Sequence, residues 1–97
     1  MYSTYDVLND FVSFDDWLVN YITENPGIKI SFYRLKFENS NASIVVKLRH
    51  IGGFEMDRVL DFDAYDKVSK KRKLIEAIED MTYQLKQGVK KYYREVD

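Results

Sequence analysis

Few residues of this chain are equipped for covalent or metal chemistry. There is one histidine, His50, and no cysteine, which removes thiolate ligands, disulfides and cysteine nucleophiles together. His50 ends an alternating apolar segment, with no nucleophile or third orienting group recognisable beside it, so it reads as a packed or edge residue rather than a base. Asp61 and Asp63, with Asp66 nearby, have the oxygen ligands a divalent cation needs. Asp61 is equally explained by the outward face of a strand, and Asp63 by an N-cap. No glycine loop is built to cradle phosphate, since Gly52-Gly53 reads as a hairpin turn. The expectation is therefore a chain without catalytic residues, bound metal or cofactor, and not an enzyme.

Recognition chemistry is better represented. Lys70-Lys71-Arg72-Lys73 falls in the opening turns of the last helix, where the helix dipole disfavours cations. Such a run either pairs with acids elsewhere or offers cations and free backbone N–H groups to an anion. Pairing is the commoner case, and residues 1–27, with five acids and no base, supply obvious partners. A second group, Arg34, Lys36, Lys47 and Arg49, falls on the outward faces of two strands beside an acidic stripe on a third. Opposite charges across a solvated sheet contribute roughly 0.2–1 kcal/mol per pair, but Arg34 and Lys36 have no acids opposite them. The third group is aromatic. Eight of the 97 residues are tyrosine; Tyr83 lies off the apolar stripe of its helix, and the adjacent Tyr92 and Tyr93 cannot both face one core. Tyrosine combines large contact area with a polar tip at small entropic cost, so these three are candidate interface residues.

The elements that must position these groups follow from periodicity. At 45% hydrophobic, 15% aromatic and 32% charged, the chain has the makings of one globular domain over residues 1–97. Val7, Phe11, Phe14, Leu18, Tyr21 and Ile22 recur at helical spacing. Ser3 with Asp6 and Ser13 with Asp16 resemble capping signals, which predicts a helix that restarts at Phe14 and stops at Asn25-Pro26-Gly27. Ser43 to Ile51 alternates Ile44, Val46 and Leu48 against Lys47 and Arg49. Phe54 to Phe62 alternates Phe54, Met56, Leu60 and Phe62 against Glu55, Asp57 and Asp61. Ile28 to Phe37 changes phase, which predicts a bulge near Phe32-Tyr33 and places Tyr33, Leu35 and Phe37 beside Leu48, Val46 and Ile44.

An odd-length turn at Gly52-Gly53 would keep the apolar faces together, with Arg49 opposite Asp57. The last helix runs from about Tyr65 or Ser69 to about Glu95. Its stripe is Ile75, Ile78, Thr82, Leu85, Val89, Tyr92 and Val96, widened by Leu74 and Met81, and its end should overhang the sheet. The expected fold is α+β, in the order α-β-β-β-α: a three-stranded antiparallel sheet with both helices packed on one face and a long C-terminal helix.

That order, with Ser69-Lys70-Lys71 opening the final helix, resembles the double-stranded-RNA-binding domain, and the resemblance implies phosphate contacts from Lys70, Lys71, Arg72 and Lys73. A formal net charge of −1 and a pI near 5.8 do not fit a dedicated nucleic-acid binder, whose domain is usually strongly basic. The leading expectation is a protein-binding module, a small regulator or inhibitor. In length and composition it is similar to the accessory proteins of phages and mobile elements, such as anti-defence or immunity proteins. Its interface would draw on Arg34, Lys36, Lys47, Arg49, Tyr83, Tyr92 and Tyr93. Nucleic-acid binding is the alternative, and a homodimer along Leu85, Val89, Tyr92 and Val96 is the third reading. With no signal-like start and no run of about 18 apolar residues, the expected location is the cytoplasm, bacterial or host, without membrane contact.

Overall fold

The computed structural model describes residues 2–35, 43–61 and 67–96, and side chains within these except those of 34, 35, 43, 61, 67, 68 and 92–96. The first helical stretch is two helices, α1 (Thr4–Leu8) and α2 (Phe14–Glu24). Each begins where its cap predicts. The Ser3 hydroxyl accepts the Asp6 N–H at 3.2 Å while the Asp6 carboxylate accepts the Ser3 N–H at 3.3 Å, a closed capping box. Ser13 accepts the Asp16 N–H at 3.2 Å, and Asp15 and Asp16 sit in the favourable first turn. Between the helices Asp10 takes φ 61°, a left-handed conformation that Asp tolerates better than most residues.

Three strands follow, β1 (Ile28–Leu35), β2 (Ser43–His50) and β3 (Glu55–Asp61), in the antiparallel order β1-β2-β3. The chain closes with α3 (Lys67–Val96), whose 30 residues span about 45 Å at ~1.5 Å per residue. Packing of α2 on β1 and of α3 on β2 and β3, with α1 against α3, puts the helices on one sheet face. This is the expected α+β arrangement. It is thin, 48 × 37 × 15 Å, as one helical layer on one sheet must be.

The core lies between those layers. Val46 and Leu48 from β2, Ile28 from β1, Trp17 from α2, Val7 from α1, and Ile75, Ile78, Met81 and Leu85 from α3 are all buried. Trp17 is sandwiched between the rings of Phe14 (5.8 Å) and Tyr21 (5.0 Å). Thr82, the buried polar residue of α3, donates its hydroxyl to the Ile78 carbonyl at 2.7 Å. Among the described residues no buried side-chain nitrogen or oxygen lacks a partner. Arg58 stands in the core-facing row, opposite Val46, and reaches out to Asp80 on α3 at 2.7 Å. That bond, with one from Gln84, holds the Asp80 carboxyl below its usual range. Beyond Leu85 the helix leaves the core: Lys86, Gln87, Gly88, Lys90 and Lys91 are exposed and Val89 is half-buried, so the expected overhang is present.

Two register expectations are corrected. First, β1 carries no bulge. It pairs without interruption from Ile28↔His50 through Phe32↔Val46 to Leu35↔Ser43. Phe32 stays in phase with Ile28 and Ile30 because the Phe14 ring of α2 meets it edge-on at 6.1 Å. Tyr33 stands on the opposite face, where a phenol tolerates half-exposure. Second, β2 and β3 are offset by two residues from the expected pairing, with Arg49 opposite Glu55 and Lys47 opposite Asp57. The turn is odd, as expected, but centred on Gly52 rather than Gly53: Ile51-Gly52-Gly53. The His50 N–H donates to the Phe54 carbonyl at 2.8 Å, the Gly52 N–H donates to His50 Nδ1 at 2.9 Å, and Gly53 sits at φ 96°. A shift of two preserves faces, so this error costs nothing in the assignment of the core.

Burial raises the Tyr21 phenol above its ordinary value, opposed by a hydrogen bond with Thr82 and reinforced by the Glu79 carboxylate. The folded state therefore holds this proton more tightly than the unfolded chain does. Its stabilising contribution is whole below the ordinary phenol value near ~10 and declines as pH rises through and beyond it. Tyr21→Phe should flatten the alkaline fall in stability relative to the wild type, measured by urea unfolding between neutral and strongly alkaline pH. An identical slope in the two proteins would refute the assignment.

Candidate functional site

The helices cover one face of the sheet and no described element covers the other, and the strand period of two decides what that open face displays. The register arranges that face in rows. Tyr33, Val45 and Val59 form one row across all three strands, Ser31, Lys47 and Asp57 the next, and Lys29, Arg49 and Glu55 the third. Tyr33 is 52% and Val59 60% exposed, with Val45 half-buried between them. One part of the face is thus apolar and the adjoining part charged.

The charged part divides by strand, with Lys29 on β1 and Lys47 and Arg49 on β2, and Glu55 and Asp57 on β3. Arg49 donates from Nε to Glu55 Oε1 at 2.6 Å, and Lys47 Nζ lies 3.4 Å from Glu55 Oε2. The Arg49 hydrogen bond, together with the charges of Arg49 and Lys47, holds the Glu55 carboxyl below its usual range against a smaller cost of desolvation. These contacts are what a solvated sheet uses to stabilise itself, and they account for Lys47 and Arg49. They do not account for Lys29. Its register partner is Arg49, a like charge, and like charges directly opposite destabilise a sheet. Among the described residues the Lys29 side chain has no ion-pair or hydrogen-bond partner.

Lys29, Ser31, Tyr33, Lys47 and Arg49 line a shallow depression of about 150 Å³ on this face. It contains three cations and two hydroxyl groups. A wider depression of about 410 Å³ adjoins it at the hairpin end, sharing Lys29 and Arg49 and bounded by His50, Ile51, Gly53 and Glu55. His50 contributes to the turn, its Nδ1 accepting the Gly52 N–H.

Of the basic group expected on the outward face, the structure brings Lys47 and Arg49 together there. Arg34 takes a register position opposite Ile44, in the row of the core-facing residues, and Lys36 lies outside the described residues. Lys29, missed in the sequence, joins Lys47 and Arg49 on the outward face where Arg34 was expected. The signal was present: Lys29, Ser31 and Tyr33 alternate against Ile28, Ile30 and Phe32, and extending that first phase unbroken finds them.

The basic run opening α3 is not presented as one surface. Lys71 forms an ion pair with Asp10, beyond the end of α1, and is mostly buried. Lys73 faces the depression shared by Arg58, Glu76 and Asp80, Lys70 is half-buried, and Arg72 is exposed. Pairing with an acid of the N-terminal segment, one of the two explanations for such a run, holds for Lys71. Tyr83 is 64% exposed on the solvent side of α3; the side chains of Tyr92 and Tyr93 lie outside the description. Leu85 is buried in the core, so the helix seam expected to join two copies loses its first member. Among the described residues there is no cluster of three potential metal ligands, and no helix long and apolar enough to cross a membrane. The Asp61 side chain, Asp63 and Asp66 lie outside them. Comparison of the chain with family models, with curated proteins and with solved structures found no match.

Proposed function

We propose that this chain is a protein-binding module, a small regulator or inhibitor that acts by docking on a partner through its open sheet face. One observation carries the reading: an apolar row, Tyr33-Val45-Val59, crosses the whole sheet beside a cationic depression, on a face that no described element of the chain covers. Tyr33 and Val59 are at least half exposed, and covering them would recover roughly 25 cal/mol per Å² of apolar surface. Lys29 and Arg49, juxtaposed without an acid between them, add a charge requirement that a partner can meet. Arginine and tyrosine are the residues most enriched at interface hot spots.

The face is small. Strands of eight, eight and seven residues at ~3.3 Å per residue and ~4.8 Å apart span about 14 by 26 Å. That is below the ~800 Å² per partner of a standard interface, so the partner engages with a short segment rather than a broad surface.

The test compares the wild type with Val59→Lys on the open face and Tyr83→Ser on the helical side, each immobilised and exposed to nuclease-treated extract of cells that express the protein. The expected result is a partner held equally by wild type and Tyr83→Ser and lost by Val59→Lys, with circular dichroism showing all three folded. A partner retained by Val59→Lys, or capture seen only from extract that has not been treated with nuclease, would refute the proposal.

A further inference from the structure

We infer that the depression lined by Lys29, Ser31, Tyr33, Lys47 and Arg49 is a carboxylate-binding subsite that receives an acidic side chain from a peptide segment of the docked partner. The inference rests on the reading of the open sheet face as a docking surface and adds the chemistry of what docks. The site already shows its preference once, internally. Glu55 lies against Arg49 and Lys47, so this pair of cations binds a carboxylate within the chain itself. Glu55 approaches from β3, on one flank of β2. On the other flank, over β1, Lys29 has no acid among the described residues. Two of the three cations thus share one resident carboxylate, while the third, Lys29, lies on the side of the hydroxyl groups of Ser31 and Tyr33.

Size and surroundings narrow the ligand. A shallow depression of about 150 Å³ accommodates a carboxylate and its methylenes. Guanidinium and ammonium donors bind carboxylates through short, charge-assisted hydrogen bonds, and a guanidinium presents five N–H groups, more than Glu55 engages. A continuous polyanion crossing the sheet would have to pass Glu55 and Asp57, both exposed on β3, and be repelled there. A peptide meets the pattern by placing its acid over β1 and β2 and an apolar neighbour over Tyr33, Val45 and Val59.

Amide spectra of the 15N-labelled full chain are recorded during titration with a capped peptide of alternating Glu and Leu, with its Lys-for-Glu counterpart, and with a short single-stranded oligonucleotide. The expected result is saturable shifts at Lys29, Ser31, Tyr33, Lys47 and Arg49 with the acidic peptide alone. Lys29→Glu should weaken that binding about tenfold or more, the scale of one charge-assisted contact. Glu55→Gln, which removes the internal competitor and keeps the side chain's shape, should strengthen it several-fold. No shifts with the acidic peptide, unchanged affinity in Lys29→Glu, or tighter binding of the oligonucleotide would each overturn the inference.

The partner-capture comparison separates the two readings. A partner lost by Val59→Lys and fully retained by Lys29→Glu sinks the subsite and leaves the docking face standing. Acidic-peptide binding at these residues, with capture indifferent to Val59→Lys, does the reverse.

Discussion

Replacing Trp17 with alanine lowers the free energy of unfolding by about 3–5 kcal/mol, the usual cost of truncating a buried aromatic to a methyl group. Trp17 is 3% exposed, and its ring touches both Phe14 and Tyr21. Such aromatic pairs contribute ~0.5–1.5 kcal/mol beyond the area they bury. Three rings at successive turns of α2 form the slab by which that helix grips β1, so one deletion leaves a void lined by the other two. Against the ~5–15 kcal/mol typical of a domain this is a large share. At a urea dependence of ~1–3 kcal/mol per M, the midpoint should fall by about 2 M. Trp17 is the only tryptophan, so unfolding must be followed by circular dichroism rather than fluorescence. A loss under about 1 kcal/mol would mean that α2 rests on the sheet without sharing its core.

A carboxylate at position 78 should abolish folding. Ile78 is fully buried, near the middle of the part of α3 that lies on β2 and β3. The described core around it is apolar, and Arg58, the nearest cation of the sheet's inner row, is already committed to Asp80. An unpaired charge buried there has no route to water or to a counter-ion, a cost of several kcal/mol or more. Ile78→Asp is expected to lose amide dispersion in NMR spectra and cooperative thermal unfolding. Tyr83→Asp, five positions along and on the opposite side, should change stability by no more than about 0.5 kcal/mol. A cooperatively folded Ile78→Asp would show that the helix presents a different face.

The contrast between these positions was legible in the sequence, because helical spacing alone separates 75, 78, 82 and 85 from 83. So were both N-caps and the break before Phe14, since capping is decided within four residues and needs no knowledge of the fold. Alternation likewise identified the inner faces of β2 and β3. The failure came at β1, and its cause is physical. Burial selects one phase of a strand only where one face is well covered. Phe32 (39% exposed) and Tyr33 (52% exposed) lie on an edge strand where neither face is, so two adjacent aromatics gave no preference. The apolar Leu35 and Phe37 then tipped the reading towards a bulge. That single phase error moved Arg34 onto the open face and hid Lys29. The β2–β3 register failed for another reason: a shift of two leaves every face unchanged, so no pattern of hydrophobicity can detect it.

The thinness of the molecule couples its open face to its core. With one helical layer on one sheet, the strands that line the core are the same strands that form the open face, and adjacent residues serve the two sides in turn. In β2, Val46 and Leu48 look inward while Lys47 and Arg49 look outward. Whatever rests on Lys47 and Arg49 holds still the backbone on which the core is built, and its binding energy returns as resistance to unfolding in proportion to its occupancy. The same alternation divides inheritance along the strand. Odd-numbered positions can change without disturbing the core while even-numbered ones keep the fold, so the chemistry of the open face can vary independently of folding.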